Sequence, residues 1–205
     1  MQSSPDPHSS DRLSTAWTFF RHWLRSPLTT ASVVPSGEEL AARMADQIRP
    51  EDRFVVELGP GTGALTGTLL QRLPDAAEMV AVELNADFAR QLSERFPQLD
   101  VLEGDARSLG QLLAGHERAA QGVDLVLSGL GILIMPEAVS RAILAAVFEV
   151  LSPEGRFVQF TYRPRSPIPK PLLREFGLTS RRVASAWRNL PPAFVYEYRR
   201  SAGTQ

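Results

Sequence analysis

Cysteine is absent from the chain. Its absence excludes disulfides, thiolate nucleophiles and Cys-based metal sites together. Histidine is scarce: His8, His22 and His116 lie far apart without ligand spacing, so no metal is expected. Long apolar runs are missing as well. The longest, Leu125–Met135, falls short of the roughly 20 residues that span a bilayer. No N-terminal stretch joins a basic start to an apolar core, so no secretion signal is expected and the chain reads as cytoplasmic. An excess of one charge is also lacking. The formal net charge is -1, which excludes a whole-molecule electrostatic trap for nucleic acid.

The charge is unevenly spread. From Arg156 to the end the bases are Arg156, Arg163, Arg165, Lys170, Arg174, Arg181, Arg182, Arg188, Arg199 and Arg200, against Glu175 and Glu197. Such an end is either a solvated basic face or a surface that meets an anionic partner. Residues 1–11 are rich in Ser, Pro and Asp and read as a disordered tail. Residues 12–26 read as an amphipathic helix ended by Pro27. Leu13, Ala16, Trp17, Phe20, Trp23 and Leu24 fall on one side, Arg21, His22 and Arg25 on the other, and Phe19 near the boundary. That helix has two readings: a lid packed on the domain, or a membrane-contacting element whose Trp17, Phe19, Phe20 and Trp23 enter the interface while Arg21 and Arg25 meet anionic lipid.

Residues 27–205 read as one domain. A helix is expected over Gly37–Ile48, with Ser36 as its N-cap. Apolar β-rich runs then alternate with helical periodicity. Strands are expected at Phe54–Leu58, Met79–Leu84, Leu99–Glu103, Val123–Leu127 and Arg156–Tyr162. Helices are expected through Leu73, over Asp87–Phe96, within Asp105–His116 and over Glu137–Leu151. Pro171–Phe176 reads as a short helix, and Leu178–Trp187 and Phe194–Arg199 as a hairpin turned at Asn189–Pro192. The result is a doubly wound α/β sheet, mostly parallel, with an antiparallel strand in a C-terminal hairpin.

Val55-Val56-Glu57-Leu58-Gly59-Pro60-Gly61-Thr62-Gly63 is the most informative segment: a buried strand, a glycine turn, then a helix. Gly59, Gly61 and Ala64 also fit a dinucleotide fingerprint. Charge separates the two readings. Glu57 beside the turn would repel a pyrophosphate, but it favours the ammonium and sulfonium of S-adenosylmethionine (SAM). No Gly-Lys-Ser/Thr closes the turn, so a P-loop fails. Glu83, about 20 residues past the turn, stands where an acid accepts from ribose hydroxyls. Asp105, after the third strand, stands where an acid accepts from an adenine amine. One acid after a strand is commonplace, but Glu57, Glu83 and Asp105 at three successive strand ends point to one ligand.

This pattern resembles the class I SAM-dependent methyltransferases. The resemblance implies that Glu57, Gly59, Gly61 and Gly63 hold the methionine part, Glu83 with Leu84 the ribose, and Asp105 with Ala106 the adenine. Ser128 and Ser36 are further candidates at the rim. The product would be S-adenosylhomocysteine, and no metal would be needed.

Val56–Thr66 is similar to the rRNA adenine dimethyltransferases. That family implies an Asn-Leu/Pro-Pro-Tyr/Phe motif after the fourth strand to hold a flipped base. Ser128-Gly129-Leu130-Gly131 stands there instead, and Asn189-Leu190-Pro191-Pro192 falls in the hairpin turn, away from the site. Trp17–Phe20 with Trp23, Thr30–Gly37, Ser128–Pro136, Phe157–Pro169 and Trp187–Arg199 resemble the soluble bacterial phospholipid N-methyltransferases. This resemblance implies stepwise methylation of phosphatidylethanolamine, through mono- and dimethyl intermediates, toward phosphatidylcholine. It also implies a monomer, peripheral on the inner face of the cytoplasmic membrane, with anionic lipid and no nucleic acid as partner. Tyr162 is the candidate for positioning the amine or for plain strand-end packing. Arg163 and Arg165 are candidates for the lipid phosphate or for solvated loop charges. Another amine lipid or a soluble amine is an alternative acceptor.

Overall fold

The computed structural model of the protein describes residues 35–201. The tail 1–11 and the stretch 12–26, with Trp17, Phe19, Phe20, Arg21, Trp23 and Arg25, lie outside the described residues.

Seven strands form one sheet: β1 (Phe54–Leu58), β2 (Glu78–Glu83), β3 (Asp100–Glu103), β4 (Val123–Ser128), β5 (Leu151–Thr161), β6 (Leu178–Ala186) and β7 (Ala193–Arg200). Their spatial order is β3-β2-β1-β4-β5-β7-β6. The first five are parallel, and β7 is antiparallel to both β5 and β6. β6 therefore runs in the direction of the parallel strands. β1 is buried along its whole length, as expected of a central strand covered on both faces. Its alternate residues serve two cores. Val55, with Leu125, Leu127 and Val158, packs against α1 (Pro35–Ala45), α2 (Thr66–Arg72) and α3 (Ala86–Arg95). Val56 and Leu58, with Val126 and Phe157, pack against α4 (Leu109–Leu113), α5 (Glu137–Val150) and α6 (Lys170–Glu175).

The register aligns the strand ends. Leu58 pairs with Val82 of β2 and with Ser128 of β4. Hydrogen bonds continue past those ends: Gly59 N–H to Val82 O (2.9 Å), Gly104 N–H to Glu83 O (2.9 Å) and Gly129 N–H to Leu58 O (2.8 Å). The loops after β1, β2, β3 and β4 are thereby stitched along one edge, where ligands of such sheets bind.

Three expectations are corrected. The first helix starts at Pro35, which suits a first helical position because its missing N–H would lack a partner there. Ser36 thus lies inside the first turn rather than at the cap. β5 extends back to Leu151, although Ser152-Pro153-Glu154-Gly155 reads as a turn; the irregularity is absorbed as a register shift between Val123 and Leu125. Finally, the basic C-terminal end is only partly free. Arg156 is 2% exposed, donates to Asp52 at 2.5 and 2.7 Å and also to Gln47 O (2.7 Å). Arg181 and Arg199 converge on the buried Glu197. Arg200 donates to main-chain oxygens of Phe148, Leu151 and Ser152. These cations close the sheet's far end.

Candidate active site

A cavity of about 310 Å³ opens along the stitched edge, within the range of small-molecule and cofactor sites. Gly59, Glu83, Leu84, Asp105 and Ala106 line it, with Leu130, Met135, Val139 and Ile143 forming its apolar wall. Five of the residues expected from the sequence are thus brought together. Glu57, Gly61, Gly63 and Ser128 are not among its lining residues.

Glu57 is 1% exposed, on the α2 side of the sheet. Its Oε2 accepts from the Thr66 hydroxyl at 2.8 Å, and its buried Oε1 has no partner among the described residues. Burial pushes the Glu57 carboxyl from 4.5 up to about 7; the Thr66 bond opposes this and the Glu83 charge adds to it. A buried, unpartnered carboxylate oxygen calls for a cation or a donor.

Glu83, 2% exposed, is held differently. Its Oε2 accepts from Gly61 N–H (3.0 Å) and its Oε1 from Asn85 N–H (2.8 Å). The same carboxylate therefore shapes the glycine turn and borders the cavity. Each of its oxygens keeps a further lone pair for a ligand hydroxyl. Gly59 has φ +66°, and a Cβ there would come within 2.5 Å of Leu130. Gly61, at φ +56°, would place a Cβ with nothing within 4 Å, whereas a Cβ at Gly63 would meet Leu92 of α3 and Phe96 just past its end. The first two positive φ values shape the turn at the cavity's edge, and the absent side chain of the third lets the turn press on a helix. Gly129 is as constrained as Gly59: a Cβ would lie 2.8 Å from Gly59 O.

Asp105 caps the short turn Ala106–Ser108, accepting from Arg107 N–H (2.8 Å) and from its guanidinium (2.6 and 2.9 Å). Burial alone would raise its carboxyl, but the Arg107 bonds outweigh this and hold it below its ordinary value. Ser128 is fully buried and its Oγ accepts from Leu130 N–H at 3.2 Å, fixing the exit from β4.

A second, smaller groove of about 130 Å³ adjoins the first and shares Leu130 with it. Ile132, Leu133, Ile134, Phe160 and Tyr162 line it. Tyr162 packs edge-on against Phe160 with ring centroids 5.6 Å apart. Burial raises its phenol, and the Asn189 side chain beside it partly offsets that rise. Asn189 therefore lies at the site's rim, not away from it. β6 runs with the parallel strands, so the β6–β7 turn returns to the carboxyl edge. Arg163 and Arg165 follow Tyr162 and are exposed. Their loop is pinned by Ser166, whose hydroxyl lies 2.8 Å from that of Tyr198, and by the buried Ile168.

Gln159 was not anticipated. It is 1% exposed, donates to Leu130 O and Phe160 O (both 2.8 Å), and leaves its Oε1 without a partner among the described residues. A lone amide inside the apolar run Phe157–Phe160 was the signal that could have found it.

Residues 55–155 match the family model of the methyltransferase domain. Over 182 residues, 87% of this chain and 90% of the relative, the sequence is 36% identical to an ornithine lipid N-methyltransferase of Singulisphaera acidiphila. The chain belongs to the class I SAM-dependent methyltransferases. A ribosomal RNA small subunit methyltransferase A of Synechococcus elongatus is 42% identical over 103 residues, but these are 49% of this chain and 32% of that relative. Among solved structures, a magnesium protoporphyrin IX methyltransferase of Synechocystis with bound SAM superposes with a TM-score of 0.62 at 14% identity, covering 98% of this chain and 100% of that one. A TehB-like SAM-dependent methyltransferase of Corynebacterium glutamicum gives a TM-score of 0.59 at 18% identity, covering 92% and 99%. These two speak for the fold.

The methyltransferase site suits SAM. Glu57, with its unpartnered buried oxygen, stands near the end of the strand that leads into the glycine turn, and Gly59, Glu83 and Asp105 border the cavity. Among the described residues no cluster of His, Asp and Glu could hold a metal ion, and no helix is long and apolar enough to cross a membrane.

Proposed function

We propose that the protein methylates the amine of a membrane lipid head group, with phosphatidylethanolamine as an acceptor on the way to phosphatidylcholine. The observation that carries this reading is similarity to a lipid N-methyltransferase along nearly the whole chain, where a ribosomal RNA enzyme matches only about half of it. That relative's acceptor favours a second arm, an ornithine-type lipid. Both lipids place an anion near an amine, and Arg163 and Arg165 stand ready to pair it.

SAM supplies the electrophilic methyl when bound. Glu57 holds positive charge, Glu83 the ribose and Asp105 the adenine. Gly59, Gly61 and Gly63 shape the turn, and Leu84, Ala106 and Ser128 complete the wall. Ser36 serves at the rim. With the cofactor bound, the walls of the two pockets would hold the acceptor amine against the methyl group that SAM would supply. The amine must be neutral to attack, and a dry wall of Leu130, Ile132 and Phe160 favours loss of its proton. Tyr162 stays protonated at neutral pH, since burial raises its phenol. It therefore orients the amine through its oxygen or ring face and does not act as an anionic base. The enzyme works as a monomer, peripheral on the inner face of the cytoplasmic membrane. Trp17, Phe19, Phe20 and Trp23 enter the interface, and Arg21 and Arg25 meet anionic lipid.

Incubation with SAM and a mixed lipid extract, followed by mass analysis, tests the reading. Amine lipids that gain methyl groups support it and name the acceptor. An extract left unchanged while rRNA fragments are methylated overturns it.

A further inference from the structure

Six large hydrophobic side chains are more than a third exposed among the described residues: Leu84, Leu133, Ile134, Tyr162, Trp187 and Leu190. All six lie in loops that leave the carboxyl ends of strands running in the parallel direction. Leu84 belongs to the cofactor cavity and Tyr162 to the groove beside it. The remaining four form two projecting tips, Leu133-Ile134 after β4 and Trp187 with Leu190 after β6. Leu190 is 78% and Trp187 66% exposed.

The second tip is built rigidly. Trp187 packs edge-on against Phe194 at 5.6 Å. Asn189, 7% exposed, donates to Pro191 O at 2.7 Å and lies beside Tyr162. Arg188 N–H donates to Glu39 of α1 at 2.7 Å. A turn braced on three sides that still presents Trp and Leu to solvent is shaped for an apolar partner.

Charge narrows the choice of partner. The loops 129–136, 162–169 and 187–192 carry Arg163, Arg165 and Arg188 and no Asp or Glu. The loops at the opposite edge of the sheet are mixed in sign, with Asp46, Glu51, Asp52, Asp75 and Glu117 beside Arg49, Arg53 and Arg118. Tryptophan and leucine at a tip ringed by arginine match the boundary of an anionic bilayer, where the ring sits among head groups and the cations meet phosphate. α1 also reaches this edge, through the Glu39 contact.

We propose that the carboxyl edge of the sheet is a membrane-docking face, with Trp187 and Leu190 inserted into an anionic bilayer and Arg163, Arg165 and Arg188 on its head groups. This rests on the lipid-methylating reading and deepens it. The face that docks also holds the groove beside Tyr162, so a lipid amine reaches the site while its acyl chains stay in the bilayer. Docking needs no contribution from the cofactor residues.

The test uses the full chain and vesicles of phosphatidylethanolamine and phosphatidylglycerol in equal parts. The chain has three tryptophans, so Trp17→Phe with Trp23→Phe leaves Trp187 as the sole emitter. The expected result is a blue shift of its emission on adding vesicles, with quenching by lipids brominated near the head group. An emission already blue-shifted without vesicles, and unmoved by them, means that the N-terminal stretch covers the tip, and overturns the proposal. So does a solvent-exposed emission that vesicles leave unchanged. In the otherwise natural chain, Trp187→Ser with Leu190→Ser should weaken vesicle co-sedimentation at least tenfold, on the order of losing two inserted apolar side chains, with SAM affinity unchanged. Unchanged co-sedimentation overturns it as well. Methyl transfer to a short-chain, water-soluble form of the lipid should survive in this variant. If the unsubstituted protein methylates no lipid in either form, the lipid reading fails, and the Trp187 emission still decides whether the face docks.

Discussion

At the scale of single residues, Glu57 decides most. Its carboxyl ionises near 7 because it is buried and only half satisfied by Thr66. A bound cation stabilises the ionised form, so SAM affinity should rise with pH through about 7, and binding below that pH should release a proton. Calorimetry in buffers of different ionisation enthalpy measures this directly. Glu57→Gln should bind SAM about tenfold to a hundredfold more weakly, the range expected for losing a hydrogen bond to a charged group, and should lose the pH dependence. An unaltered pH profile in the variant would remove Glu57 from the cofactor site. If Tyr162 positions the acceptor as proposed, Tyr162→Phe should lower kcat with SAM affinity unchanged, read by single-turnover kinetics beside equilibrium binding. That Glu83 and Asp105 border the cavity was legible because each is an acid at or just past the carboxyl end of a parallel strand. Thr66 was not, since a hydroxyl in the first turn of a helix leaves no periodic trace, whereas Gln159 is marked only by standing as an amide inside an apolar strand.

At the scale of elements, alternating β and helical patterns were legible because a parallel sheet covered on both faces demands long apolar runs. The ends were less so. Ser152–Gly155 carries turn residues, yet stays in β5 because the register shift beside Val123 accommodates them. The position of the β6–β7 turn was illegible for another reason: strand order, not local sequence, sends Asn189 back to Tyr162. The loop after β4 also depends on its neighbours. Gly129→Ala would push a methyl group against Gly59 O, now 2.8 Å from the Cβ position, and should displace the cofactor turn. Weakened SAM binding at near-wild-type secondary structure, by circular dichroism and titration, is the expected outcome. The stretch 12–26 makes a separate prediction. Deleting residues 1–25 should weaken vesicle co-sedimentation and leave the fold intact, and full retention would exclude a membrane role for that stretch.

At the scale of the whole molecule, charge that reads as one basic face divides into two functions. Arg156, Arg181 and Arg199 neutralise Asp52 and Glu197 inside the sheet's far end, and Arg163, Arg165 and Arg188 remain at the ligand edge. Sequence counts cannot make this division, because burial of Arg156 depends on Asp52, far away in the chain. Asp52→Ala leaves that guanidinium buried without its carboxylate and should cost about 3–5 kcal/mol in urea unfolding. Glu57 adds a global pH signature of its own. Its folded value of about 7 exceeds the ordinary 4.5, so its contribution to stability is full below 4.5 and is lost as pH rises through about 7. The loss amounts to roughly 3 kcal/mol, which SAM should restore. The central proposal is methyl transfer at a lipid surface. The most direct measurement is transfer of label from methyl-labelled SAM to defined phosphatidylethanolamine vesicles, with and without anionic lipid, the lipid products being separated. Labelled mono-, di- and trimethylated lipid, formed faster when anionic lipid is present, is the predicted result. Tight SAM binding with no label on phosphatidylethanolamine, on ornithine lipid or on any other amine lipid would contradict it.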